Sequence, residues 1–289
     1  MTLRIGILIM PRPPLASIIE RCRQYEALGF DSVWLCDHFV DQALGPLFES
    51  WTLLAAIAAS TSRSRLGIAA TCVPFRHPAL LAKAATTVDH ISGGRLELGL
   101  GAGWWQPEFE RFGYDFPPPD DRTTRFIEAV TALRLLFTEQ EVTLRGSSLA
   151  LTNATMLPKP VQRPHPPLVL AAQGPRMLDT VARHGDAWLA SFGLTWQEIR
   201  ERNDRLDERC LAYGRAPARV RRIFLWAPWV QEIDPWSSAA AFADFISAYR
   251  AAGITEVILD EPRHDQRDQF ATIVLTTLPS LAQRSPEAG

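Results

Sequence analysis

Eight apolar runs alternate with helical segments from one end of this chain to the other, and no other feature restricts its fold so strongly. Residues 4–10 (RIGILIM) form a continuous apolar run, as a strand buried on both faces requires. Comparable runs follow at 32–36 (SVWLC), 66–73 (LGIAATCV), 96–101 (LELGLG), 168–172, 187–192, 222–230 (RIFLWAPWV) and 255–260 (TEVILD). Helical segments are predicted at 15–28, 51–61, 78–91, 120–137, 175–184, 196–213, 239–252 and 269–282. Their punctuation agrees: Gly29 stops the first, Pro78 opens the third, and Ser92-Gly93-Gly94 ends it. Eight strands, each followed by a helix, predict an α/β protein of the (β/α)₈ TIM-barrel class. An open doubly wound sheet would need fewer strands or two halves, and no linker separates halves here. Residues 139–167 break the rhythm with the patches VTLRG and LALTN and a proline-rich tail. They read as a β-hairpin insertion with an extended return, too short for a core of its own. One barrel domain spanning 1–289 is therefore expected.

The 289 residues can bury about three quarters of their unfolded surface, so a large core needs no staples. A formal net charge of −2 gives no drive toward nucleic acid or an anionic membrane. Cys22, Cys36, Cys72 and Cys210 are scattered without a C-x-x-C pair, which argues against a disulfide framework or a zinc site and fits a reducing compartment. The apolar N-terminal run is too short for a signal sequence, and no stretch approaches a membrane span. A cytoplasmic protein is expected. His90, His165, His184 and His264 lack metal-ligand spacing, so no metal is expected. The arginines and acids of 196–213 read as a self-paired, solvated face.

In a TIM barrel, active sites lie at the C-terminal ends of the strands, and chemically capable residues recur there. Asp37-His38 follow strand two, where an imidazole can move a proton and a carboxylate can orient it or hold its charge. Gly101, Ala102 and Gly103 end strand four and lead into Trp104, Trp105 and Glu108. Glycines there admit a flat or phosphorylated ligand, the indoles supply walls, and Glu108 is an acid or base. The spacing does not fit the dinucleotide fingerprint, whose third glycine falls one position later and runs into a helix. Gln173-Gly174-Pro175-Arg176 turn from strand five into a helix, where free amides of Arg176 and Met177 and the helix dipole favour phosphate. Cys72 reads as a small wall residue rather than a nucleophile. A flat tricyclic cofactor with a phosphate tail fits this arrangement.

The stretch RHPALLAKAATTVDHISGGRLELGLGAGWWQPEFERFGYDFP closely resembles the strand-three to helix-four segment of the luciferase-like monooxygenase family. Weaker resemblances follow in order: WLCDHF, MLPKPVQRPHPP and QGPRMLDTVARHGDAW. The likeness points most to the branch that uses the deazaflavin F420. It implies a (β/α)₈ barrel with an insertion, and a deazaflavin ring beside Asp37-His38 with His38 handling the proton. It implies a non-proline cis peptide at Cys72-Val73 behind the ring, a cofactor loop at Gly101-Ala102-Gly103, and Glu108 as its acid. Gln173, Gly174 and Arg176 match the phosphate-tail loop, although Ala172-Gln173 depart from the usual small pair. Phe75, Trp104, Trp105 and Trp229 suggest an apolar or aromatic substrate pocket. Three functions stay open: F420-dependent hydride transfer with a small organic substrate, FMN-dependent monooxygenation with oxygen, and a cofactor-free partner subunit. The expected partners are a small molecule and a second copy of the chain in a homodimer.

Overall fold

A computed structural model describes residues 3–191, 193–229 and 233–278. In chain order, β1 (Arg4–Ile9) leads through α1 (Leu15–Ala27) to β2 (Ser32–Leu35), and α2 (Ser50–Ser60) leads to β3 (Arg65–Ile68) and the short β4 (Thr71–Cys72). Next come α3 (Pro78–Ile91), β5 (Leu96–Gly101), α4 (Gln106–Arg111) and α5 (Pro119–Thr138). The hairpin β6 (Val142–Arg145) and β7 (Ala150–Ala154) follows, then β8 (Leu168–Ala171), α6 (Pro175–His184) and β9 (Ala187–Ala190). The chain continues with α7 (Trp196–Ala212), β10 (Arg221–Trp226), α8 (Ala239–Ala251), β11 (Glu256–Asp260) and α9 (Arg267–Thr276).

The strands pair in parallel in the order β3-β2-β1-β11-β10-β9-β8-β5, and β3 returns to β5 through Leu66–Leu96 and Gly67–Glu97. That last pairing closes an eight-stranded barrel, so the expected fold class holds. The hairpin pairs antiparallel outside it. Positions 192, 230 and 279–282 of the expected elements lie outside the described residues. No helix among the described residues is long and apolar enough to cross a membrane.

Side chains alternate between two apolar layers, as strand geometry dictates. Leu8, Trp34, Val169, Leu189, Ile223, Leu225 and Ile258 fill the barrel, while Ile7, Ile9, Val33, Leu98 and Phe224 pack outward against the helices. Gly99 is required for this packing rather than for a ligand: a Cβ there would stand 1.9 Å from the Ile68 carbonyl oxygen.

Two sequence expectations need correction near the barrel mouth. The run 66–73 is not one strand: it is interrupted between β3 and β4, and Val73 has left the sheet for a 3₁₀ turn at Val73–Phe75. The non-proline cis peptide is at Ala69–Ala70, within that interruption, and not at Cys72–Val73. Helix α4 was not predicted. It opens with Gln106 and Pro107, and its six residues are too few for a periodic signal.

Candidate active site

Strand ends from around the barrel converge on one cavity of 660 Å³ at its C-terminal mouth. The loop after β2 supplies His38, and the loop after β5 supplies Trp104, Trp105 and, through α4, Glu108. Glu108 is buried, yet both of its oxygens are engaged. Its Oε2 lies 2.8 Å from His38 Nδ1, and its Oε1 accepts the Phe39 N–H at 2.7 Å. A carboxylate only accepts, so this contact places the imidazole hydrogen on Nδ1 and leaves the Nε2 lone pair as the free basic site of the ring. The two indoles fix the ring from its sides: His38 meets Trp104 edge-on at 5.9 Å and Trp105 at 6.0 Å.

Asp37 does different work from its neighbour. Its Oδ2 accepts Arg76 Nη1 at 2.6 Å and the Cys72 N–H at 2.8 Å, and its Oδ1 accepts Arg76 Nη2 at 2.9 Å. The bidentate pair ties the loop after β2 to the loop after β4. The carboxylate that orients His38 is therefore Glu108, seventy residues away in sequence, and not the adjacent Asp37.

The chamber floor is made of small residues: Ala69, Ala70, Gly101, Ala102 and Ala171. Gly103 takes φ +80°, and a Cβ there would stand 2.5 Å from the Phe109 ring, so the loop can turn here only with glycine. Cys36 and Cys72 both line the space, and burial pushes the Cys36 thiol up to about 12 and the Cys72 thiol higher still. Such thiols stay protonated at neutral pH and act as small apolar walls.

The remaining expected residues divide. Gln173, Met177 and Trp229 line the chamber, whereas Val73, Phe75, Gly174 and Arg176 do not. Val73 packs in the outer core. Phe75 belongs to an aromatic cluster behind the wall, 5.0 Å from Phe39, 4.8 Å from Phe109 and 4.9 Å from Tyr114. Arg176 turns toward α5, where it contacts Asp120 Oδ1 at 3.1 Å and Thr124 Oγ1 at 3.0 Å. Its side chain is therefore not the expected clamp at the mouth. Gly174 has an ordinary extended backbone, φ −83°, and faces open space in front of α6. The first intrahelical bond runs from the Leu178 N–H to the Gly174 carbonyl at 3.0 Å, which leaves the Arg176 and Met177 amides unused by the helix.

Sequence reasoning missed Arg76, the partner of Asp37, and the lining residues Met10, Arg12 and Asp41. Each lies in a loop at the barrel mouth, and the position after a barrel strand was the one signal available.

The sequence pattern of the luciferase-like monooxygenases matches residues 3–274. An F420-dependent glucose-6-phosphate dehydrogenase of Intrasporangium calvum is 31% identical over 91% of this chain and 95% of its own length. An FMNH₂-dependent dimethylsulfone monooxygenase of Pseudomonas putida is 30% identical over 58% of this chain and 46% of its own. Among solved structures, an F420-dependent secondary alcohol dehydrogenase bound to an F420-acetone adduct superposes with a TM-score of 0.82. It is 19% identical and covers 97% of this chain and 99% of its own.

Proposed function

Since the chain belongs to the luciferase-like monooxygenase family, we propose that it is an F420-dependent oxidoreductase that moves hydride between the deazaflavin and a small organic substrate. The observation that carries this reading is the His38–Glu108 pair, 2.8 Å apart, standing over a floor of small residues. The residues fit a flat ring: a Cβ on Gly101 would lie 3.2 Å from the Ala70 methyl carbon, so the glycine keeps the floor level. The open space before Gly174 and the two free amides of α6 fit the phosphate of the tail. Gln173 and Met177 flank it from the chamber side.

When bound, F420 supplies a two-electron hydride acceptor or donor. The protein's own part is proton management and exclusion of water. In the oxidising direction, His38 Nε2 takes the proton from the substrate hydroxyl as its carbon gives up hydride; in the reverse direction the imidazolium returns it. Glu108 stabilises the imidazolium and fixes the ring tautomer, and Phe39 N–H in turn fixes Glu108. Trp104 and Trp105 keep the imidazole from swinging away and shield it from bulk water. Asp37 and Arg76 position the loops and touch no proton in transit.

A second reading, FMN-dependent oxygenation, is supported by the resemblance to the dimethylsulfone monooxygenase. Fluorescence titration with F420 and with FMN separates the two. F420 is expected to bind at about micromolar Kd or tighter, roughly −8 kcal/mol, and FMN more weakly. Tight FMN binding without F420 binding reverses the assignment.

A further inference from the structure

The loops after β1 and β2 are joined at the chamber by an ion pair, beside the Phe48 N–H that donates to the Pro11 carbonyl at 2.9 Å. Arg12 Nε and Nη2 lie 3.0 and 2.8 Å from a single oxygen, Asp41 Oδ2. The other oxygen, Oδ1, accepts the Ala43 N–H at 3.0 Å and the Gly45 N–H at 2.7 Å. Asp41 is thus fixed by its own loop, and the Gly45 N–H, with Arg12 behind it, holds its carboxyl below the usual range. Both residues line the chamber. The Asp41 side chain is 12% exposed and that of Arg12 is 54% exposed, so the acid is the more buried anchor and the guanidinium the solvent-facing member.

Among the described residues Arg12 is the only lysine or arginine lining the chamber, against three carboxylates, Asp37, Asp41 and Glu108. Asp37 is matched by Arg76 and Glu108 by the His38 contact. An anion entering this space would meet carboxylates and find its one cation already engaged. The other walls, Met10, Leu189, Leu225 and the three tryptophans 104, 105 and 229, offer apolar surface.

We propose that the Arg12–Asp41 pair cancels the chamber's one positive charge and so selects an uncharged organic substrate over a phosphorylated one, with Asp41 the residue that sets the preference. This rests on the reading that the chamber holds the substrate beside the cofactor. Asp41→Asn separates the two functions of the side chain. Its amide oxygen still accepts the Ala43 and Gly45 N–H groups, while its NH₂ replaces the oxygen that holds Arg12.

The test uses the intact protein and two probes of one shape, 1-phenylethanol and phenyl phosphate, titrated against tryptophan fluorescence with and without F420. The parent is expected to bind 1-phenylethanol at least about tenfold more tightly, and Asp41→Asn to gain about tenfold or more for phenyl phosphate with little change for the alcohol. Adding Arg12→Gln to Asp41→Asn should return phenyl phosphate to the parent value. Arg12→Gln alone, which leaves Asp41 anchored and unpaired, should weaken phenyl phosphate below the parent. It also serves as the test should Asp41→Asn melt before it can be titrated. Equal or tighter phenyl phosphate binding by the parent, no gain in Asp41→Asn, or no response to either probe overturns the proposal. Failure to bind F420 overturns the cofactor reading instead, since the probe ranking is read without cofactor as well.

Discussion

The two ends of the barrel both bury carboxylates, yet they use them in opposite ways. At the N-terminal end Glu97 and Glu256 are almost fully buried. Glu97 is held by Arg65 and Arg221, and Glu256 by Arg221 at 3.1 Å and Arg4 at 3.4 Å. Ser32 donates to Glu256 at 2.7 Å and accepts the Trp34 indole N–H at 2.8 Å, so the ionic layer is bonded to the apolar layer above it. Gln162, from the proline-rich return, accepts from Arg65 at 2.9 Å and seals this end. At the C-terminal end Glu108 and Asp37 are paired as well, but around a cavity, and Glu108 is paired with a group that can lose its charge. The lesson is that burial and pairing alone do not identify an active site. What separates the mouth from the base is empty space beside a titratable partner; at the base Glu97 and Glu256 face arginines that never deprotonate.

Glu97→Ala should break the base most severely. It leaves Arg65 without its buried carboxylate and Arg221 with Glu256 alone, at a cost of about 3–5 kcal/mol of folding stability by denaturant titration. Cofactor binding in the fraction still folded should match the parent. A loss below about 1 kcal/mol would make the base an ordinary surface network.

Asp260 sharpens the contrast from the mouth side. Burial pushes its carboxyl up to about 7, against the opposing hydrogen bond from the Glu261 N–H. The folded state therefore holds a proton that the unfolded chain releases near pH 4. Stability from this group is full below pH 4 and is lost as pH rises through 7. Asp260→Asn should remove the dependence, gaining on the order of 2–4 kcal/mol over the parent at pH 8 relative to pH 4. Parallel pH curves for parent and variant would contradict this.

Gly103→Ala introduces a Cβ at φ +80° against the Phe109 ring. Expected is a loss of about 1–2 kcal/mol in stability, with weakened cofactor binding because the loop carries Trp104. The smallest effect is expected from Arg176→Ala, whose guanidinium points to α5. Cofactor Kd should stay within about twofold, the usual range for a surface side chain remote from the ligand; a tenfold loss would restore Arg176 as a phosphate clamp.

Much of this was legible in the sequence, and what was not has a common physical cause. The barrel was readable because parallel strands leave continuous apolar runs, and its strand ends mark the mouth. His38, Glu108 and the Gly101–Gly103 loop could be named as candidates from position alone. Their pairing could not: Asp37 is adjacent to His38 in sequence, but successive residues in an extended segment face opposite ways. Asp37 thus reaches Arg76, and His38 reaches Glu108. Arg176 likewise follows a sound rule for its backbone amide, while its long side chain answers to Asp120 and Thr124 on a neighbouring helix. The Arg12–Asp41 pair joins two loops through side chains alone and left no periodic trace.

The most direct test of the account is kcat of the F420-loaded His38→Ala variant measured beside its cofactor Kd. Loss of a positioned acid or base should lower turnover by about 10²–10⁴-fold while Kd changes by no more than about threefold, since the proposed phosphate turn follows β8 and not β2, the strand that carries His38. Turnover equal to the parent would reduce His38 to a wall residue and remove the proton-handling step from the mechanism.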